Sequence, residues 1–395
     1  MFSRRNLWLL RAESVLASGN ATIPLLPLFY YSLGLTQAHI GMSEAVFALF
    51  WLTFGIPTSW IADRFSHKAC NVIGNLVAAG SFLVLTTATS FPGILAAGIL
   101  LALGNASSQG ADVALLHRCC QNLKLNFARE VALQRIISPL SSIGFLAVGG
   151  LLAAHNLKLG LLWGGVPFLV AGVAVFFLRE DGDTERLPKT PEVTFRRQVV
   201  TALVDMRDVT LYCLGDRQLR WVIVTRTLMA TLTGSIGWLG TPLAVQAGLP
   251  EEFVTVSWIM FIAMLSLGAW VYRQLLDKCA LRAQIFLPAL IAIGSMLILS
   301  THVSVWTLWL FGLVGLCRGW YSALFEPLLQ KEVPDGIRAT VSSVSGSLTL
   351  LCYSVFTVLI NWAGSWSIEW ALIINCAVML PFVLIAALRM PQRVK

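Results

Sequence analysis

Twelve apolar runs, each long enough to cross a bilayer as a helix, constrain this sequence more than any other feature. They lie near 8–33, 38–62, 69–90, 92–117, 131–154, 158–178, 219–247, 252–275, 284–302, 304–329, 339–362 and 367–388. A hydrocarbon core about 30 Å thick is crossed by about 20 residues of helix. In lipid the backbone must satisfy its own hydrogen bonds, and no strand-like alternation competes in these runs, so helices are expected. The prediction is an all-α membrane protein with twelve transmembrane helices. Composition agrees: 57% of the 395 residues are apolar, 12% are charged, and mean hydropathy is +0.76. These values exclude a soluble globular chain, a disordered one and a disulfide-stapled secreted module.

Arg4 and Arg5 precede the first run as they would in a signal peptide, but that run continues past Tyr31 and contains Glu13, so a retained first helix is expected. Lys and Arg set the orientation. One set of loops carries Arg64, Lys68, Arg118, Lys124, Arg129, Arg135, Arg273, Lys278, Arg282, Lys331 and Arg338, and the opposite set carries only Lys158. Both termini are therefore expected in the cytoplasm. The net charge of +8 falls in short loops between apolar runs, so it points to anionic lipid rather than nucleic acid. The eight cysteines have no CxxC spacing and read as reduced thiols. The five histidines are scattered, which gives no metal site, and no cofactor motif appears.

A charged stretch at 179–218, with two prolines, separates six runs from six. It reads as a linker with a short surface helix around 193–213. The expected organisation is a six-helix bundle over 1–180, a cytoplasmic linker over 181–217 and a second six-helix bundle over 218–395. The halves repeat. Asp63, Arg64 and Lys68 return 214 residues later as Asp277, Lys278 and Arg282, and Asp112 returns at that offset as Glu326. At offset 215, Arg11 returns as Arg226, Gly19 as Gly234 and Pro27 as Pro242. Parallel six-helix repeats suggest two pseudo-symmetric bundles about an axis along the membrane normal, with a central site.

The loop after the second run reads Ser59-x-x-x-Asp63-Arg64-x-Ser66-His67-Lys68. It resembles the signature loop of the major facilitator superfamily, G-x-x-x-D-R-x-G-R-K, with Asp63, Arg64 and Lys68 matching, serines in place of both glycines, and His67 in place of a basic residue. The resemblance covers the whole chain through twelve runs, the duplication and the long central loop. It implies the major facilitator fold. It also implies a cytoplasmic gate of charges: Asp63, Arg64, His67, Lys68 and Asp112 in one half, and Asp277, Lys278, Arg282 and Glu326 in the other. Bare topology would explain the basic residues but does not require acids at matched depth.

An isolated carboxylate in a transmembrane helix is costly and marks function. Glu13 is such a group, with an interfacial salt bridge to a nearby arginine as the plainer reading. The pattern Glu13-x5-Gly19-Asn20-x-x-Ile23-Pro24 is similar to the first helix of proton-coupled multidrug antiporters of that superfamily, which implies proton coupling through Glu13. The chain departs from those antiporters where Ala21 replaces a second acid, Leu100 a membrane arginine, and Phe145-Leu146 a Gly-Pro pair. Arg318 lies well inside the tenth run, where it would either bind an anionic substrate or pair with a carboxylate on another helix. Arg11 and Arg226 would guard the inner entrance. Asn20, Tyr30, Glu44, Trp51, Asn105, Gln109 and Trp238 are further cavity candidates, against ordinary helix packing. Most of the fourteen tryptophans suit the interfacial belt.

The reading is a secondary active transporter working by alternating access: proton-coupled efflux of a lipophilic drug or small metabolite across a bacterial inner membrane, by a monomer. An anionic metabolite such as a carboxylate siderophore, moved in either direction, is the runner-up. A non-transporting receptor or scaffold is the alternative of another class. No H-E-x-x-H or phosphate-binding glycine loop supports an enzyme or a primary pump.

Overall fold

The computed structural model describes residues 4–17, 22–64, 66–179, 204, 207–276, 279–333 and 338–390, and among these every regular element is helical. The main helices are α1 (Arg4–Ala17), α2 (Leu26–Ser32), α3 (Gln37–Arg64), α4 (His67–Thr87), α5 (Phe91–Ser108), α6 (Ala111–Leu123), α7 (Phe127–His155), α8 (Leu157–Trp163) and α9 (Gly165–Phe176). They continue as α10 (Arg217–Ser235), α11 (Gly240–Gln246), α12 (Thr255–Val271), α13 (Leu281–Thr301), α14 (Trp309–Glu332), α15 (Arg338–Trp366) and α16 (Ile368–Leu388). A helical stretch at 207–215 precedes α10. It overlaps the end of the surface helix expected at 193–213, the rest of which, apart from helical residue 204, lies outside the described residues.

Ten helical stretches are long and apolar enough to cross a membrane. The two expected spans not among them are the first and the tenth. The first is described on both sides of residues 18–21, as α1 and α2. The tenth is α14, whose 24 residues cover about 36 Å. Its Arg318, Glu326 and Lys331 lower its hydropathy without shortening it. Together these complete the twelve expected helices.

Several helix starts are written in the sequence as capping side chains. Ser66 Oγ accepts from the Ala69 amide at 3.2 Å, Asn126 from Arg129 at 3.2 Å, and Asp216 from Gln218 and Leu219 at 2.8 and 2.9 Å. One break was not legible. The fourth span, expected as a single helix over 92–117, is interrupted between α5 and α6 at Gly110, whose φ of +92° only glycine adopts readily.

The chain divides into two compact units, Met1–Thr22 with Val46–Leu203, and Ile23–Ala45 with Val204–Lys395. The segment 23–45, placed by sequence in the first bundle, thus packs within the second unit. Two bonds show why. Thr241 Oγ1 donates to the Pro24 carbonyl at 2.7 Å, and Gln37 Nε2 donates to the Trp238 carbonyl at 3.0 Å and to Asn361 Oδ1 at 2.6 Å.

In the first unit, α1 lies against α6, α7 and α9, burying Leu7, Leu10, Leu115, Leu116, Val175 and Leu178 together. In the second unit, α12 and α14 are the most closely joined pair. Small residues make this approach possible, as between other membrane helices. A β-carbon on Gly268 would run into the Leu316 carbonyl, and one on Gly319 into the Leu265 carbonyl. Gly319→Ala is therefore expected to destabilise the protein by at least about 1–3 kcal/mol. Gly80→Ala on α4, where nothing lies within 4 Å, should leave stability nearly unchanged. Thermal unfolding in detergent checks both.

Candidate functional site

Arg11 and Glu13 are two residues apart on α1, so they point to nearly opposite sides of the helix. Arg11 reaches α7: its Nε donates to Glu130 Oε2 at 3.0 Å and its Nη2 to Glu130 Oε1 at 2.8 Å. This forked geometry suits a guanidinium on a carboxylate. The salt bridge considered between Glu13 and a nearby arginine does not form here, because Arg11 is already taken.

Glu13 is 2% exposed and faces α4 and α6 instead. Asn71 and Asn75, one turn apart on one face of α4, lie beside its carboxyl, and Asp112 on α6 is within electrostatic reach. Both asparagines are fully buried. Asn75 Nδ2 donates to Asn71 Oδ1 at 2.6 Å, which leaves Asn71 Nδ2 and Asn75 Oδ1 without a partner at hydrogen-bond geometry. The Gly110 break frees backbone amides, and Asp112 Oδ1 accepts from Gly110 at 2.9 Å and Val113 at 2.6 Å. The result is a patch of buried Glu13, Asn71 and Asn75 with half-buried Asp112 at the start of α6, where the helix end favours negative charge.

The expected gate residues are partly described. Asp63 and Arg64 close α3 as helical backbone, and their side chains lie outside what is described, as do Asp277 and Lys278. His67 and Lys68 open α4. Lys68 Nζ donates to the Leu178 carbonyl at 2.6 Å, placing its charge at the end of α9. Arg282 is exposed at the start of α13.

The second unit repeats one part of this design. Arg226 Nη1 donates to Ser345 Oγ at 2.6 Å and its Nη2 to Glu326 Oε2 at 3.1 Å. Arg11 to Glu130 and Arg226 to Ser345 both span 119 residues, so the two halves place one arginine against the same position of their fifth helices. The buried patch is not repeated. At the corresponding offsets stand Leu228 for Glu13, and Ile285 and Ala289 for Asn71 and Asn75.

Arg318 on α14 has no counterpart charge, since offset 214 leads to Gly104. Its guanidinium lies over Gly234, where a β-carbon would sit 2.9 Å from Nη1 and 3.4 Å from the Tyr353 ring. Among the described residues Arg318 makes no ion pair, so the pairing with a carboxylate on another helix is not formed. Trp238 Nε1 donates to the Tyr353 hydroxyl at 2.8 Å, and Glu44 and Arg318 both act electrostatically on that hydroxyl. Tyr30 donates to Ser43 Oγ at 2.6 Å. Trp51 is half-buried beside Phe47. Asn105 is half-buried, Gln109 is exposed at the α5 end, and Asn20 lies outside the described residues.

Sequence reasoning missed Asn71, Asn75, Glu130 and Tyr353. The asparagines had a signal: two amides one turn apart inside an apolar run. Glu130 sat among basic loop residues and gave none.

Because the Arg11–Glu130 pair is partly buried, with side chains 23% and 10% exposed, Arg11→Gln is expected to cost about 2–3 kcal/mol, below the loss for a fully buried pair. Adding Glu130→Gln should recover part of it. Unfolding of the single and double variants in detergent measures the difference.

A family model described as Major Facilitator Superfamily matches residues 14–357. No curated protein matches the sequence. Among solved structures, a POT family transporter in complex with a thioalcohol-conjugated peptide is similar with a TM-score of 0.76 at 14% identity, over 99% of this chain and 97% of that one. The D323A mutant of the nucleoside transporter NupG gives 0.74 at 13%, over 98% of each chain. A bacterial homologue of the human lysosomal transporter Spinster, inward-facing and unoccupied, gives 0.74 at 14%, over 98% and 96%. Identities this low establish a shared fold.

Proposed function

Since this chain belongs to the major facilitator superfamily, we propose that it is a secondary active transporter that couples proton entry to efflux of a lipophilic drug or small metabolite by alternating access, as in the drug/proton antiporter branch. It carries its cargo unchanged and is not an enzyme. It acts as a monomer in a bacterial inner membrane, with both termini in the cytoplasm. Solved structures of its fold include nucleoside and peptide transporters, which supports a small-molecule cargo.

The observation that carries proton coupling is the buried patch around Glu13. Two carboxyls within electrostatic reach of each other, as Glu13 and Asp112 are, repel when both are charged, and one proton removes that repulsion. Asn71 and Asn75 offer a donor and an acceptor with no other partner, so the patch accommodates either protonation state of Glu13. In the cycle, Glu13 takes a proton from the outer side, and cargo leaves outward. Glu13 then releases the proton to the cytoplasm, and fresh cargo binds. Asp63, Arg64, His67, Lys68 and Asp112, with Asp277, Lys278, Arg282 and Glu326, are the gate charges that break and re-form during this exchange. Asp112 thereby joins the proton patch to the gate.

A second reading has its own observation. Arg318, without an ion-pair partner among the described residues, favours a cargo that bears an anionic group, such as a carboxylate siderophore.

The test is flux in proteoliposomes, with and without an imposed pH gradient, across fluorescent lipophilic dyes and small organic acids, with pyranine inside to follow protons. Wild type should accelerate cargo movement under the gradient and acidify the lumen in step with it. Glu13→Gln should reduce gradient-driven flux at least about tenfold while cargo exchange without a gradient persists. Unchanged coupling in that variant removes the role of Glu13. Binding without any flux supports a receptor.

A further inference from the structure

Glu44 and Arg318 are opposite charges held in membrane-spanning helices of the same unit, and neither forms an ion pair or hydrogen bond among the described residues. Charges at such depth are retained when something satisfies them. They do not neutralise each other directly. Arg318 and the Tyr353 ring meet over Gly234, and Gly41, one turn before Glu44, packs on Thr357 and Asn361 of the helix that carries Tyr353. The Tyr353 hydroxyl feels both charges. Their depths agree. Glu44 lies seven residues into α3 and Arg318 nine residues into α14, about 10 and 14 Å along helices that run in the same direction. Both are half-buried.

The surroundings are built to hold this arrangement. Gly234 leaves room for the guanidinium, and any side chain there would displace it. Trp238 fixes the Tyr353 hydroxyl by donating to it at 2.8 Å. Behind Trp238 stands Trp258, ring to ring at 6.2 Å in an edge arrangement. Tyr353, Trp238 and Trp258 thus form an aromatic wall beside Arg318.

We propose that the cargo is an amphipathic zwitterion, whose cationic group binds Glu44 and whose anionic group binds Arg318, with its apolar frame against Tyr353 and Trp238. This rests on the transporter reading and deepens it by naming the class of molecule carried. A guanidinium grips a carboxylate or phosphate in a forked pair, and a carboxylate grips an ammonium, so each end is recognised by complementary chemistry. A cargo with one charge would leave the other protein charge desolvated and unpaired, which disfavours it.

The experiment uses the full-length protein in detergent and two probe sets, on a single-ring and a biphenyl frame: 4-(aminomethyl)benzoic acid and 4′-(aminomethyl)biphenyl-4-carboxylic acid, each with its N-acetyl derivative and its methyl ester. Binding is read by thermal shift and tryptophan quenching. At least one zwitterion should bind wild type roughly tenfold tighter than either of its capped forms. Glu44→Gln should erase the advantage over the acetyl form only, and Arg318→Gln the advantage over the ester only. Arg318→Lys and Glu44→Asp, which keep the charges, should keep both preferences, and if the neutral variants do not fold, the wild-type comparison decides. The inference is overturned if capped forms bind wild type as well as the zwitterion, if no probe binds, or if one neutral variant loses both preferences. Flux of the same probes separates the two readings. A zwitterion that binds with both preferences but never crosses the vesicle membrane defeats transport and leaves the site standing, whereas probes that cross without regard to charge do the reverse.

Discussion

The cost of holding a charge away from water governs this molecule. A chain with so little charge has no need of acids and arginines inside its apolar helices, and those it keeps occur in a few groups. Arg11 takes Glu130, and Arg226 takes Ser345 and Glu326. Glu13 faces two asparagines and Asp112. Glu44 and Arg318 share Tyr353. The first two groups are satisfied by protein and hold helices together. The last two are incomplete, and incompleteness at such cost is what a site for a moving ion or cargo looks like.

Duplication explains how one scaffold supports both kinds of group. The arginine at the inner part of each half's first helix reaches a partner 119 residues away in both copies, which fixes the same helix pair in each. Around this common joint the copies have diverged. The first carries Glu13, Asn71 and Asn75 where the second has Leu228, Ile285 and Ala289. The second carries Arg318 where the first has Gly104, whose bare backbone lets α5 pack on α4. One unit thus keeps a buried acid beside two amides, and the other keeps a half-buried arginine beside Tyr353.

Much of the fold was legible because lipid leaves the backbone few choices. The helix count and the division into two sets of six follow from run length and the charged stretch between them. Three features were not legible. Gly110 resembles any glycine in a glycine-rich helix, and only its positive φ reveals the break that offers Asp112 the Gly110 and Val113 amides. Glu130 looks like a loop charge until Arg11 is seen against it. The allegiance of segment 23–45 depends on Thr241, Trp238 and Asn361, all more than 190 residues further along the chain. Among the candidate residues, those inside apolar runs were found by their cost alone. Their partners were the neutral amides and hydroxyls that carry no such mark.

The central claim is that cargo and proton exchange through Glu13. Calorimetric titration of cargo into the purified protein, repeated in buffers of different ionisation enthalpy, counts the protons that leave when cargo binds. The account predicts release of about one proton per cargo molecule in wild type and close to none in Glu13→Gln. Equal release by both proteins would contradict it.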